Sequence, residues 1–110
     1  MKTILTRLGV VSLLALGLAL LTACGTSDKD VRRIQSNLEL YYLAGQQFLL
    51  ETGNPVARYA DLVGLEKGKY IKAMKTLHGE DYTTLVVSAG TDALTVRTSD
   101  NREVTWHRQP

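Results

Sequence analysis

A chain of 110 residues is long enough for one domain and too short for two independently packed cores. Positions 1–23 contain two of its 13 basic residues, Lys2 and Arg7, and none of its 11 acidic residues, so the rest of the chain is formally neutral. Neutrality argues against nucleic-acid binding, which needs clustered positive charge to neutralise phosphates. A single cysteine excludes a disulfide within the chain, so an apolar core must hold the fold.

The N-terminal segment has the features of a bacterial secretion signal. Lys2 and Arg7 come first, and an apolar stretch occupies residues 8–21. As a helix, this stretch of 14 residues would span about 21 Å, which is short of the roughly 30 Å hydrocarbon core of a bilayer. We therefore expect residues 1–23 to be a signal peptide that is removed, and not a permanent membrane span.

The end of this segment, Leu21-Thr22-Ala23-Cys24, places an aliphatic residue and two small residues before the only cysteine. It resembles the lipobox of bacterial lipoproteins. The resemblance implies diacylglycerol on the Cys24 sulfur, cleavage before Cys24 by the lipoprotein signal peptidase, and acylation of the new amino group. Two or three acyl chains suffice for stable membrane anchoring. The alternatives are an ordinary secretory signal with a chance cysteine and an uncleaved anchor.

The residue after the cysteine bears on location, because Gly25 stands where an aspartate would act as a retention signal. In a Gram-negative cell the resemblance therefore favours the outer membrane, with the domain facing the periplasm. A helical pattern begins almost at once, so residues 24–27 would be the lipidated cysteine and a short linker. The domain is expected to lie close to its membrane.

The first element of the mature chain is predicted to be a long amphipathic helix. Ser27 or Asp28 is a suitable N-cap, and Gly53 followed by Pro55 supplies a stop. Apolar residues between these limits recur at helical spacing and fall within roughly 120° of arc. This stripe comprises Val31, Ile34, Leu38, Tyr41, Tyr42, Gly45, Phe48 and Leu49.

Three leucines of the helix lie outside this stripe. Leu40, Leu43 and Leu50 fall roughly on the opposite side and form the candidate partner face. Either residues 55–76 of the same chain cover them, or another protein or the bilayer surface does. The first hypothesis is favoured, because exposed leucines on helices are common and need no partner to explain them.

The remaining chain predicts short elements and a small sheet. One helical turn is expected at residues 58–63, and a connector or short strand at 68–74. From residue 82 onward the hydrophobic period changes to two, which predicts three strands joined into an antiparallel meander. The predicted fold class is α+β, with one long N-terminal helix packed on a small sheet of three or four strands.

The register of the last two strands follows from their apolar residues, which must share the core face. A three-residue turn, Ser99-Asp100-Asn101, achieves this, and Asn101 suits the left-handed position of such a turn. The expected pairs are Val96 with Val104, Leu94 with Trp106, Arg97 with Glu103 and Thr95 with Thr105.

No motif for catalysis or metal binding is found. His78 and His107 have no cysteine or carboxylate at ligand spacing, and Cys24 is assigned to the lipid. No serine lies in a G-x-S-x-G elbow. Glu80 and Asp81 are interpreted as structural residues and not as an acid and base pair. We therefore expect neither an enzyme nor a bound cofactor.

Several short runs of the mature chain occur in a recognisable order. They are Asn37-Leu38 through Gln46-Gln47-Phe48, Glu51-Thr52-Gly53, residues 58–64, Lys69-Tyr70-Ile71-Lys72 and residues 79–82 with the alternating strands after them. Together they resemble the head domains of type IV pilin-like proteins and type II secretion pseudopilins. The resemblance implies that residues 28–110 form a long helix laid across a small antiparallel sheet.

One departure from that family concerns assembly. Pilins assemble through an apolar N-terminal helix that is kept after cleavage and carries a glutamate near its start. Here the apolar segment contains no glutamate and is expected to be removed. A fibre built in the pilin manner is therefore not expected, and what remains is a pilin-like head on a lipid tether.

These observations favour a membrane-anchored lipoprotein that serves as a non-enzymatic structural or protein-interaction module, linked by the resemblance to a pilus or secretion system. The expected partners are the membrane, through the lipid on Cys24, and a protein of the cell envelope. The alternative is a lipoprotein that binds a small ligand or a cell-wall component, and an enzyme ranks third.

Overall fold

The structure, a computed structural model, describes residues 25–110, so the predicted signal peptide and Cys24 lie outside the described residues. The elements in chain order are α1 (Asp28–Thr52), β1 (Val56–Arg58), α2 (Tyr59–Leu62), β2 (Val86–Ser88), β3 (Ala93–Arg97) and β4 (Glu103–His107). The architecture is mixed α and β, with one long helix and two antiparallel sheets of two strands each. The predicted class and the long helix are confirmed.

Helix α1 begins and ends at the predicted caps. The Ser27 hydroxyl accepts a hydrogen bond from the Asp30 backbone N–H at 3.2 Å. At the other end Gly53 adopts a left-handed conformation, with φ of 74°, and its N–H donates to the Leu49 carbonyl at 2.9 Å. Glycine suits this position because it has no Cβ to clash in that conformation.

The predicted apolar stripe of α1 is the centre of the core. Five of its eight members are buried: Ile34, Leu38, Tyr41, Tyr42 and Gly45. The other three, Val31, Phe48 and Leu49, are partly buried against the same cluster. The opposite wall of the core consists of Ala57, Leu62, Val87, Leu94, Val96 and Val104. The helix therefore packs on both small sheets and holds them together, since the sheets do not share a strand.

At Gly45 the helix passes so close to β2 that a side chain has no room. A Cβ on residue 45 would lie 2.7 Å from both Cβ and Cγ1 of Val87, which is fully buried. The Val87 backbone pairs with Ala57 of β1, so moving it would disturb the first sheet. The close contact is therefore a requirement of the packing.

We expect Gly45→Ala to destabilise the protein by about 1–2 kcal/mol, because overpacking of about 2–3 kcal/mol at so short a contact outweighs the gain of about 1 kcal/mol in helix propensity. Urea unfolding measures the change. Gly90→Ala is the matched control, because nothing lies within 4 Å of a Cβ placed there, and its unfolding midpoint should not move. An unchanged or higher stability of Gly45→Ala would show that the helix can shift away from β2.

The predicted three-stranded meander is wrong. Strand β2 pairs with β1, aligning Val56 with Ser88 and Arg58 with Val86, and does not pair with β3. Thr83 and Thr84 form a turn, in which the Asp81 side chain accepts a hydrogen bond from the Thr83 N–H at 2.9 Å. The alternation of residues 82–87 therefore comes from a turn followed by the short strand β2. The pairing of β2 with β1 was not predicted from the sequence.

The predicted register of the last two strands is confirmed. Val96 pairs with Val104, Leu94 with Trp106, Arg97 with Glu103 and Thr95 with Thr105. Asn101 has a positive φ of 68°, and the Thr98 N–H closes the turn by donating to the Arg102 carbonyl at 2.9 Å. The need to place four apolar side chains on one face was sufficient to fix this pairing.

Residues 55–76 pack beside the core as a connector. Helix α2 provides the predicted helical turn, and Val63 forms an isolated parallel bridge with Ile71. Leu62 and Ile71 are buried. The connector lies against the Phe48 side of α1, where Phe48 and Tyr70 meet edge to face with ring centroids 6.3 Å apart.

Candidate functional site

The candidate partner face of α1 is exposed. Leu40, Leu43 and Leu50 have 48%, 57% and 82% of their surface accessible. No segment within residues 25–110 covers them, because the connector packs on another side of the helix. The hypothesis that residues 55–76 cover these leucines is therefore wrong.

The three leucines share one surface of the helix. Leu43 follows Leu40 by three residues and precedes Leu50 by seven, so at 100° per residue they lie within roughly 80° of arc. Gln47, between them, is exposed on the same side and donates a hydrogen bond to Glu51 at 2.6 Å. The face is therefore an apolar strip with a polar side chain in its middle.

A fourth leucine, Leu65, was missed by the sequence analysis. It is 89% exposed and lies in the turn that follows α2. The Tyr70 hydroxyl in the same connector donates to the Glu51 carboxylate, so the connector meets α1 near the end that carries Leu50. A leucine among glycines and charged residues carries no periodic signal that would distinguish it from a turn residue.

A second feature that the sequence did not reveal is a clamp on the start of the domain. The Asp100 carboxylate accepts hydrogen bonds from the Thr26 N–H at 2.9 Å and the Thr26 hydroxyl at 2.7 Å. The Arg102 guanidinium donates to the Thr26 carbonyl at 2.7 Å. Thr26 is buried although only Gly25 separates it from Cys24. The turn between β3 and β4 therefore holds this end of the chain by three hydrogen bonds, which we call the Thr26 clamp.

The electrostatics of the Thr26 clamp favour an ionised Asp100. The hydrogen bond from the Thr98 hydroxyl and those from Thr26 hold the pKa of the Asp100 carboxyl well below its usual range. A lowered pKa means that the contribution of Asp100 to stability is fully present above the ordinary carboxyl pKa and is lost as pH falls through the lowered value. The clamp should therefore remain closed across the neutral and mildly acidic range.

The buried carboxylate of Glu80 organises the loop that supports this turn. Glu80 is 1% exposed, and its Oε1 accepts the N–H groups of Leu77 at 2.9 Å and His78 at 2.8 Å. Its Oε2 accepts the Tyr82 hydroxyl at 2.6 Å. Asn37 of α1 donates to that hydroxyl at 3.0 Å. Asp81 points outward, so the two adjacent carboxylates have separate structural roles.

The two histidines have different surroundings. His78 Nε2 lies 2.7 Å from the Asp30 carboxylate, and this hydrogen bond lowers the pKa of Asp30. His107 is exposed at the end of β4. Within residues 25–110, no three His, Cys, Asp or Glu side chains come close enough together to hold a metal ion. Over the same range, no helix combines the length and apolar character needed to cross a membrane.

An open depression of about 310 Å³ lies beside β3 and is the place where a small ligand would be sought. Its charged groups already bind one another or their own loop. Arg97 pairs with Glu103 at 3.1 Å, and Asp81 accepts the Thr83 N–H at 2.9 Å. The charged residues around the depression are therefore held by contacts within the domain.

Comparisons of the chain with protein-family models, with curated proteins and with solved structures find no match. The fold is therefore characterised by its own elements, a long helix on two small antiparallel sheets. The lipobox and the pilin-like resemblance stay predictions from the sequence.

Proposed function

We propose that this chain is a lipoprotein anchored by lipid on Cys24, whose domain at residues 28–110 serves as a non-enzymatic structural or protein-interaction module of the cell envelope. The observation that carries the proposal is the exposure of Leu40, Leu43 and Leu50 on one face of α1. In a Gram-negative cell the anchor would lie in the outer membrane, and the domain would face the periplasm.

The physical argument concerns the apolar surface that this face leaves in water. Full burial of one leucine side chain contributes roughly 1.5–3 kcal/mol, so covering three would contribute substantially to an interface. A single exposed leucine is ordinary, whereas three on one strip have the spacing with which amphipathic helices bind in apolar grooves. The other exposed residues of the strip are polar and would lie at the rim of such an interface.

The fold supports a pilin-like interpretation of the module. A helix of 25 residues packs on antiparallel strands, and this long helix agrees with the resemblance to pilin and pseudopilin heads, whereas the single sheet that the resemblance implies is replaced by two sheets of two strands. We propose on this basis that the partner belongs to a pilus or secretion system. The head would act singly on its lipid tether, because the apolar segment through which pilins assemble is expected to be removed.

The double variant Leu43→Asp with Leu50→Asp tests the proposal. Both side chains are exposed, so the free energy of unfolding should stay within about 1 kcal/mol of the wild type, as for ordinary surface substitutions. The detergent-solubilised wild type should migrate on gel filtration as part of a larger complex, and the variant should migrate alone. Thermal unfolding and gel filtration of the same preparations supply both measurements.

Two controls make the result specific. Leu38→Asp places the same carboxylate on the buried side of α1, where Leu38 is fully covered, and should destabilise by several kcal/mol. Lys72→Asp places the same carboxylate at an exposed position of the connector, away from the leucine face, and should leave the complex intact. A double variant that keeps its complex, or a wild type that migrates alone from native membranes, would refute a partner at this face.

A further inference from the structure

The Thr26 clamp bears on how the anchored domain sits on its membrane. We infer that it directs the turn between β3 and β4 toward the lipid headgroups and turns the leucine face away from the bilayer, toward a protein partner. This inference rests on the proposed lipidation of Cys24. It adds to the proposed function by distinguishing between a lipid and a protein as the occupant of the leucine face.

The first step of the argument is the reach of the tether. Two residues of extended chain span at most about 7 Å, so the lipidated sulfur must stay near Thr26. Thr26 cannot act as a loose linker residue, because its N–H, hydroxyl and carbonyl are all bonded to the turn. The bilayer surface must therefore lie beside the turn that holds Thr26.

The second step is the side of the molecule from which the tether leaves. Asp100 and Arg102 belong to the hairpin of β3 and β4, and this hairpin packs on the core side of α1, where Gln35 donates to the Thr105 carbonyl at 3.0 Å. The leucine face is on the other side of the helix. The tether therefore emerges from the side opposite to the leucines.

The third step is distance along the helix. Helix α1 starts at Asp28, next to the clamp, where Arg102 pairs with Asp28 at 3.6 Å. Leu50 lies 22 residues further along the helix, which is about 33 Å at 1.5 Å per residue. A bilayer that touches the turn therefore meets the start of α1, and the most exposed leucine of the face lies at the far end.

The charges at the membrane-facing end also fit a pose set by the tether. The charged groups there are Asp28, Asp30 and Asp100 against Lys29, Arg32, Arg33 and Arg102, which is a net charge of +1 from three acidic and four basic groups. One net charge attracts anionic headgroups by only about 1 kcal/mol. The position of the tether should therefore determine the pose on neutral and on anionic vesicles alike.

The rival arrangement places the leucine face on the bilayer. Arg32 and Arg33 are exposed near the start of α1 and would then meet the headgroups. Basic residues beside an apolar strip are a feature of surface-bound membrane helices. In that arrangement, a label at position 43 would lie at the headgroups and would be quenched at least as strongly as a label at position 99.

The test uses the lipoprotein purified from native membranes and reconstituted into vesicles. Because Cys24 is the only native cysteine and would carry the lipid, a single introduced cysteine can be labelled with a fluorophore at Ser99→Cys, Leu43→Cys or Asn54→Cys. A quencher attached to lipid headgroups should quench the label at position 99 strongly and the labels at 43 and 54 weakly. Equal or stronger quenching at 43 would overturn the inferred pose.

Asp100→Ala removes the acceptor for the Thr26 N–H and hydroxyl and should abolish the difference in quenching between positions 99 and 54. Thr26→Val is the second variant, since it removes only the hydroxyl bond and should reduce the difference. Asp92→Ala is the control, because Asp92 pairs with Arg108 at 3.1 Å away from the clamp, and it should leave the pattern unchanged. Circular dichroism checks that each variant is folded.

An unchanged pattern in folded Asp100→Ala would show that the Thr26 clamp does not set the pose. The mass of the purified protein separates this result from a failure of the proposed function. A protein without lipid on Cys24 would refute both the anchor and the pose. A lipidated protein with the wrong quenching pattern would refute the pose alone.

Discussion

Glu80→Ala is expected to lower the free energy of unfolding by about 2–4 kcal/mol, because it leaves buried donors without an acceptor. The N–H groups of Leu77 and His78 and the Tyr82 hydroxyl all donate to this carboxylate. The loss should extend to the clamp, because the His78 carbonyl accepts the N–H of Ser99, next to Asp100, at 2.7 Å. Urea unfolding measures the stability, and hydrogen exchange at the Thr26 amide measures the effect on the clamp.

The same carboxylate should make stability depend on pH. Burial alone would raise the pKa of Glu80, but the hydrogen bonds from Tyr82, His78 and Leu77 outweigh burial and lower it. The stabilisation is therefore complete above the unfolded pKa of about 4.3 and is lost as pH falls through the lowered folded value. Glu80→Gln, which cannot ionise, should be destabilised at pH 7 and should show a flatter dependence below pH 5. Parallel pH profiles for the wild type and the variant would contradict this account of Glu80.

Under the proposed lipidation, Cys24→Ser is expected to abolish lipid anchoring completely, because the Cys24 thiol is the only group of the proposed lipobox that can carry diacylglycerol. Incorporation of an alkyne-tagged fatty acid, detected on the immunoprecipitated protein, measures the effect. Combining Cys24→Ser with Ser99→Cys supplies a thiol elsewhere in the chain and should not restore labelling. Labelling that survives in the double variant would place the lipid on another residue, or show that any exposed cysteine suffices.

The long helix and the last hairpin could be predicted because their signals are local. The α1 caps depend on Ser27 and on Gly53, which adopts the left-handed conformation expected of a C-cap glycine. The register of β3 and β4 depends on the positions of apolar residues within a span of 15 residues. In both cases one face must be buried, and a one-residue shift would expose it.

The sheet arrangement could not be predicted, because strand pairing depends on contacts between distant segments. Residues 82–87 have an alternating pattern that suits a strand, but Asp81 caps a turn at Thr83 and leaves only Val86–Ser88 extended. Strand β1 has three residues, too few for a period to be recognised. The alternating pattern therefore predicted a meander, whereas the chain pairs two short strands that are distant in sequence.

The candidate site was predicted in part. The separation of the three leucines from the buried stripe followed from helical geometry, but whether the connector covered them depended on the packing of residues 55–76. The Thr26 clamp joins residues 74 positions apart in sequence. From the sequence, Asp100 could be assigned only to the turn between the last two strands. Contacts of this kind leave no periodic or local signal.

The most direct test of the proposed function is photocrosslinking in the cells that make this protein. A photoreactive amino acid at position 43 or 50 should give a discrete adduct with one envelope protein, and Leu40→Asp should remove it. The same amino acid at Lys72, which is exposed on the connector, should give no such adduct. Absence of an adduct at both leucine positions, or an equally strong one from position 72, would contradict a partner at the leucine face.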